Sequence, residues 1–151
     1  MAGLNLNVPS GSVALVAATA KTVLQIKAPS NQRLKIKTIR CMGQGIVVTD
    51  KPIYMRITRS SANFGTGTSA TPGKTNTSNG ETVQSTAFSN FTVEPTSPTH
   101  SGYEVDFHPQ NGIMEQFQFD VPLEVAGGNS VNFEATAAQA QTVNFSVLYE
   151  E

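Results

Sequence analysis

The feature that most limits what this chain can become is its alternation of apolar and polar residues with a period of two. In Ile53-Tyr54-Met55-Arg56-Ile57-Thr58-Arg59 the odd positions are apolar and the even ones mostly polar. Successive side chains of a strand point to opposite faces, so such a run sets one face in a core and the other in water. The pattern recurs in Tyr103-Glu104-Val105-Asp106-Phe107, Phe117-Gln118-Phe119-Asp120-Val121, Val131-Asn132-Phe133-Glu134 and Val143-Asn144-Phe145-Ser146-Val147. Weaker candidates lie at 13–17, 22–27, 34–41 and 86–93 and bring the strands to about nine. The apolar parity changes from Leu34 and Ile36 to Ile39 and Cys41, which predicts a bulge near Thr38, and a similar slip is read between Phe88 and Phe91.

Turn signals separate these runs at Pro29-Ser30-Asn31, Gly43-Gln44-Gly45, Asp50-Lys51-Pro52, Asn79-Gly80, Asn111-Gly112 and Gly127-Gly128-Asn129. No long stretch carries a helical stripe, and 135–141, rich in Ala and Gln, reads as a turn or strand edge. At 151 residues one domain is the default. The pattern predicts a single all-β domain of eight or nine short strands, in two packed sheets or a barrel.

Two segments depart from the pattern. Residues 1–11 alternate Leu4, Leu6 and Val8 and end at a Pro-Ser-Gly break, which reads as an N-terminal arm ahead of a domain at 12–151, either adding an edge strand to a neighbour or, as is more common for termini, frayed. Residues 60–80 read as a long loop of Ser, Thr, Gly and Asn, with Phe64 its only large apolar side chain.

Charge is sorted along the chain. Nine of the ten Lys and Arg residues lie between Lys21 and Arg59 with Asp50 the only acid among them, whereas Glu81 to Glu151 holds ten acids and no Lys or Arg. A net charge of −1 therefore hides a basic first half and an acidic second half. Arg33, Lys35 and Lys37 alternate on one strand face, and Arg56 adds to it if the strands pair. Nucleic acid is disfavoured as their partner: residues 33–37 interleave no aromatic stacking residues, the chain has no Trp, and the whole is slightly acidic. The favoured reading is a solvated basic face set against acids of the same fold or of a neighbouring copy.

No constellation supports catalysis. His100 and His108 stand eight residues apart in turn-like surroundings without metal-site spacing. Glu104 and Asp106 share a strand face opposite the core and read as solvated, not as a glycosidase pair, and no calcium loop accompanies them. Gly43-Gln44-Gly45 lacks the Lys and helix of a phosphate cradle. Cys41 is the only cysteine, so neither an internal disulfide nor a cysteine zinc cluster forms, and no cofactor is expected. Residues 13–20 are too short and weakly apolar for a signal peptide or a span; synthesis in a cytoplasm and no membrane contact are the expectation, and three Asn-x-Ser/Thr tripeptides carry no weight.

Residues 12–25 (SVALVAATAKTVLQ), Ala28-Pro29, 33–37 (RLKIK), 93–96 (VEPT), His108-Pro109-Gln110 and the closing Phe145-x-Val147-x-Tyr149-Glu150-Glu151 resemble small head proteins of tailed bacteriophages, the capsid decoration or cement proteins of β-sandwich or jelly-roll type. The resemblance runs from about residue 12 to the end and rests on strand and turn patterns. It implies a virion protein on the head surface, often a homotrimer, that binds the major capsid protein and reinforces joints between capsid subunits. It carries over no catalytic residue. With it, the expected fold is an all-β, two-sheet antiparallel β-sandwich, jelly-roll-like, of eight or nine strands. Leu4, Leu6, Val8, Arg33, Lys35, Lys37, Arg56 and Phe64 are the candidate contacts with the shell or with other copies.

The competing reading is a carbohydrate-binding or host-attachment module of a phage tail or fibre, because a jelly-roll scaffold serves either role. Sugar sites favour exposed aromatic platforms; the only tyrosines are Tyr54, Tyr103 and Tyr149, and two of them lie on the apolar parity of their strands. A β-sandwich hydrolase ranks last for want of an acid–base pair.

Overall fold

A computed structural model describes residues 3–44, 51–96, 98–109 and 114–151. The turn signals at Gly45, Asp50 and Asn111-Gly112 lie outside them. Among the described residues there are twelve strands and no helix: β1 (Asn5–Pro9), β2 (Val13–Leu15), β3 (Lys21–Lys27), β4 (Leu34–Gly43), β5 (Ile53–Ser60), β6 (Thr66–Ala70), β7 (Gly73–Lys74), β8 (Thr86–Val93), β9 (Thr99–Phe107), β10 (Glu115–Val125), β11 (Ser130–Thr136) and β12 (Gln141–Glu150).

They form two six-stranded antiparallel sheets. The first runs β10-β4-β12-β1-β7, with β2 following β1 along β12, and the second runs β6-β8-β3-β11-β5-β9. With β6, β7 and β8 set aside, β1/β2-β12-β4-β10 faces β3-β11-β5-β9, and successive strands cross between the sheets in the order of a jelly roll. The core between them is apolar: on β12 the alternation is unbroken, with Val143, Phe145, Val147 and Tyr149 fully buried. Phe145 meets Phe107 edge-on at 5.9 Å between ring centres, and the Tyr149 hydroxyl bonds Ser85 Oγ at 2.7 Å.

Three expectations are corrected, beginning with the arm at 1–11. Leu6 faces Tyr149 and Val8 faces Val147 in the ladder of β1 with β12, and Leu4, Leu6 and Val8 are buried in the chain's own core. The Pro-Ser-Gly break keeps the strand on β12: Ser10 N donates to Phe145 O, and Phe145 N donates to Ser10 Oγ at 2.9 Å, so a hydroxyl replaces the missing backbone partner.

The loop at 60–80 contains β6 and β7, which extend the second and first sheets and raise the strands beyond nine. Thr66-Gly67-Thr68-Ser69-Ala70 has no large apolar side chain to alternate, so backbone pairing with β8 makes this strand while its pattern stays silent. The bulge expected near Thr38 is found at Lys37, which both neighbouring strands skip: Thr38 pairs Leu148 and Gln118, and Ile36 pairs Tyr149 and Leu123.

The slip read in β8 takes another form. Ala87, Ser89 and Phe91 keep one buried parity, Phe88 stays half-buried on the other face, and the register irregularity with β6 spans Asn90, at φ 47°.

The insertion also covers the outer face of the second sheet. β5 ends where Ser60 pairs Ser130, yet β6 starts where Thr66 pairs Val93, at the opposite end of the sheet, so 61–65 crosses diagonally and 94–96 starts the return. Phe64 O accepts from Gln25 Nε2 at 2.9 Å, Glu94 Oε2 accepts from Thr22 N at 2.9 Å, and Thr96 N donates to Asn63 O between the two crossings. Gly65 sits at φ 77°, and a side chain there would collide with Val93 O. Under this cover β11 is buried on both faces: Val131, Phe133 and Ala135 face the core, while Ser130, Asn132 and Glu134 form a buried polar layer.

Candidate interaction surface

The sorted charges meet in cross-strand pairs within one subunit. β4 carries Lys35, Lys37 and Arg40 and lies between β10 and β12; β5 carries Arg56 and lies between β9 and β11. Lys37 Nζ stands 2.6 Å from Glu150 Oε2 and 2.7 Å from Asn5 Oδ1, with Lys35 Nζ at 3.9 Å from Glu150 Oε1. Arg33 reaches Glu124 at 3.4 Å, both exposed, and Arg56 Nε reaches the buried Glu134 at 2.6 Å. Basic strands that come early in the chain thus sit between acidic strands that come late, and opposite charges across neighbouring strands attract.

The eight candidate contact residues do not form one surface. Leu4, Leu6 and Val8 are core residues. Arg33, Lys35 and Lys37 belong to the first sheet, whereas Arg56 is on β5 of the second and does not join them, since β4 and β5 are not paired. Phe64 lies on the crossing connection, with Lys27 Nζ 4.1 Å above its ring. Beside it opens a cleft of about 340 Å³ lined by Gln25, Lys27, Phe64, Thr66, Thr86 and Phe88.

The Lys37 ion pair has a pH signature. Its hydrogen bond holds the Glu150 carboxyl below the ordinary glutamate range, so the folded state releases that proton at lower pH than the unfolded state does. The stabilisation is therefore present at neutral pH and fades as pH falls through the folded-state value. Lys37→Met is expected to lower stability by about 1 kcal/mol or less at neutral pH, as for a half-exposed pair. Urea titrations should show the gap to wild type closing as pH falls below the ordinary glutamate range.

Cys41 is fully buried and burial raises its thiol well above the ordinary range, which makes it a small core hydrophobe. Glu104 accepts from the Tyr54 hydroxyl, whose pKa that bond raises, and lies 3.0 Å from His100 Nε2. Glu104 and Asp106 are both exposed, as expected for a solvated face.

A surface not singled out from the sequence lies along the margin formed by β9 and β10, each the last strand of its sheet. Tyr103, Val105, Phe117, Phe119 and Val121 share the parity of the buried Phe107, Leu123 and Val125, yet Tyr103 is 42% exposed and Val121 78%. The rings of Tyr103 and Phe119 meet edge-on at 4.8 Å. β10 loses register with β4 between Gln118 and Leu123, which lifts residues 119–122 from the ladder. Among the described residues the sandwich is thus open on this side, with aromatic side chains of its inner parity reaching solvent.

Comparison with family models, with curated proteins and with solved structures finds no match to this chain.

Proposed function

We propose that the chain is a non-enzymatic structural protein of a virion, a decoration or cement protein that binds the outside of an icosahedral phage head and reinforces contacts between major capsid subunits. The observation that carries this reading is the open β9–β10 margin: a jelly roll whose basic strands β4 and β5 are partly neutralised from within leaves an aromatic strip at one edge for contact with another protein. Many identical sites on a shell let modest single contacts add up. The resemblance of 12–25, 33–37 and 145–151 to head decoration proteins points the same way.

The test is co-sedimentation of the purified protein with empty, expanded phage heads, together with a mass measurement of the free protein. Saturable binding to heads is expected. A protein that ignores heads and instead binds a glycan array turns the reading to the alternative, a carbohydrate-binding or host-attachment module. The cleft between Phe64 and Phe88, with the Lys27 ammonium and two threonines at its rim, favours that alternative.

A further inference from the structure

The open margin carries a charge as well as an apolar strip. β9 and β10 hold Glu104, Asp106, Glu115, Asp120 and Glu124, and neither strand has a Lys or Arg. Arg33 engages Glu124, and Tyr54 and His100 engage Glu104. Asp106, Glu115 and Asp120 have no ion pair among the described residues. Between the two strands lies a hollow of about 70 Å³, bounded by Ile39, Met55, Ile57, Tyr103, Phe117 and Phe119, large enough for a few methyl groups.

Such an edge selects its occupant by charge. Apposing the same edge of two copies would set Asp106, Glu115 and Asp120 against their equals, and like charges brought together oppose association. A duplex or single strand of nucleic acid is repelled by the same acids. An extended segment bearing Lys or Arg is attracted, and β10, the last strand of its sheet, offers it an edge of backbone donors and acceptors.

We infer that the β9–β10 margin docks an extended, lysine- or arginine-bearing segment of another protein, with one apolar side chain entering beside Phe117 and Phe119. This rests on the assembly reading above and names the chemistry of the partner.

The experiment uses the full chain and a fluorescein-labelled Lys-Val-Lys-Phe-Lys-Val-Lys peptide, with a Glu-Val-Glu-Phe-Glu-Val-Glu peptide as the charge-swapped probe. Wild type is expected to bind the basic peptide alone, about tenfold or more weakly when NaCl rises from about 0.05 M to about 0.3 M. D106K/D120K is expected to weaken binding about tenfold or more, and V121S, at a side chain too exposed to matter for folding, a few-fold. Binding that survives D106K/D120K, equal binding of both peptides, or a dimer that this double substitution disperses overturns the inference.

The same variants applied to heads separate the two proposals. Head binding unchanged by D106K/D120K overturns the docking surface and leaves the decoration reading standing. Peptide binding as expected, with no head binding by wild type, leaves the surface standing and sinks the decoration reading.

Discussion

A chain lacking residues 1–11 is expected not to fold. Were this stretch an arm, removing it would cost assembly and spare the domain. It is instead β1, which lies between β12 and β7 with Leu4, Leu6 and Val8 at 3%, 0% and 0% exposure. Burying each such side chain contributes roughly 1.5–3 kcal/mol, so the three together reach about 4.5–9 kcal/mol. That is comparable with the whole net stability of an ordinary domain, about 5–15 kcal/mol. The deletion also strips five residue pairs from β12 and leaves Phe145 N without the Ser10 hydroxyl. Circular dichroism and urea titration of the truncated chain should show no cooperative transition, and Leu6→Ala alone should cost about 2–5 kcal/mol. A truncated chain that unfolds with a midpoint near that of wild type would restore the arm.

The same stretch shows what the sequence holds and what it withholds. Alternation at Leu4, Leu6 and Val8 marks a strand with one buried face, and that is correct. Whether the partner is this chain or its neighbour is decided by Leu6 meeting Tyr149, a pairing across nearly the whole chain that no local pattern encodes. The period of two reports a face, not a place in the sheet. Phe117 and Phe119 alternate as cleanly as Val143 and Phe145, yet the first pair lies at an open margin and the second at the centre.

Charge sorting was legible as complementarity, and its scale became clear only with the topology. The jelly-roll order sets β4 and β5, consecutive in the chain, between late strands in both sheets, so two basic strands meet acids from β9 to β12 without a second subunit. β6, the crossing 61–65 and the start of the return at 94–96 left no signal, because Thr, Ser, Gly and Asn are turn formers wherever backbone pairing does not recruit them.

Asn132→Ala is expected to be among the most damaging single substitutions on a polar side chain. The amide of Asn132 is fully buried and fully used: Nδ2 donates to Thr58 Oγ1 at 3.1 Å and Ser60 Oγ at 2.9 Å, and Oδ1 accepts from Gln25 Nε2 at 2.8 Å and Ser130 Oγ at 3.3 Å. Gln25 in turn holds the crossing connection through Phe64 O, and Thr58 donates to Oε1 of Glu134, whose Oε2 accepts from Arg56 Nε. Removing the amide strands the Ser60 and Ser130 hydroxyls and one Gln25 bond under the cover, where each unsatisfied group costs roughly 1–3 kcal/mol. A total loss of about 3 kcal/mol or more would lower Tm by ~6–12 °C in a domain of this size. Asn144→Ala, at a half-buried outward position of β12, serves as the control, with a change of about 0.5 kcal/mol or less. Equal midpoints for the two variants in urea would mean that water already reaches Asn132 and that the crossings do not seal the layer. A large loss with Asn132→Ala alone ties the insertion between β5 and β9 to the stability of the whole second sheet.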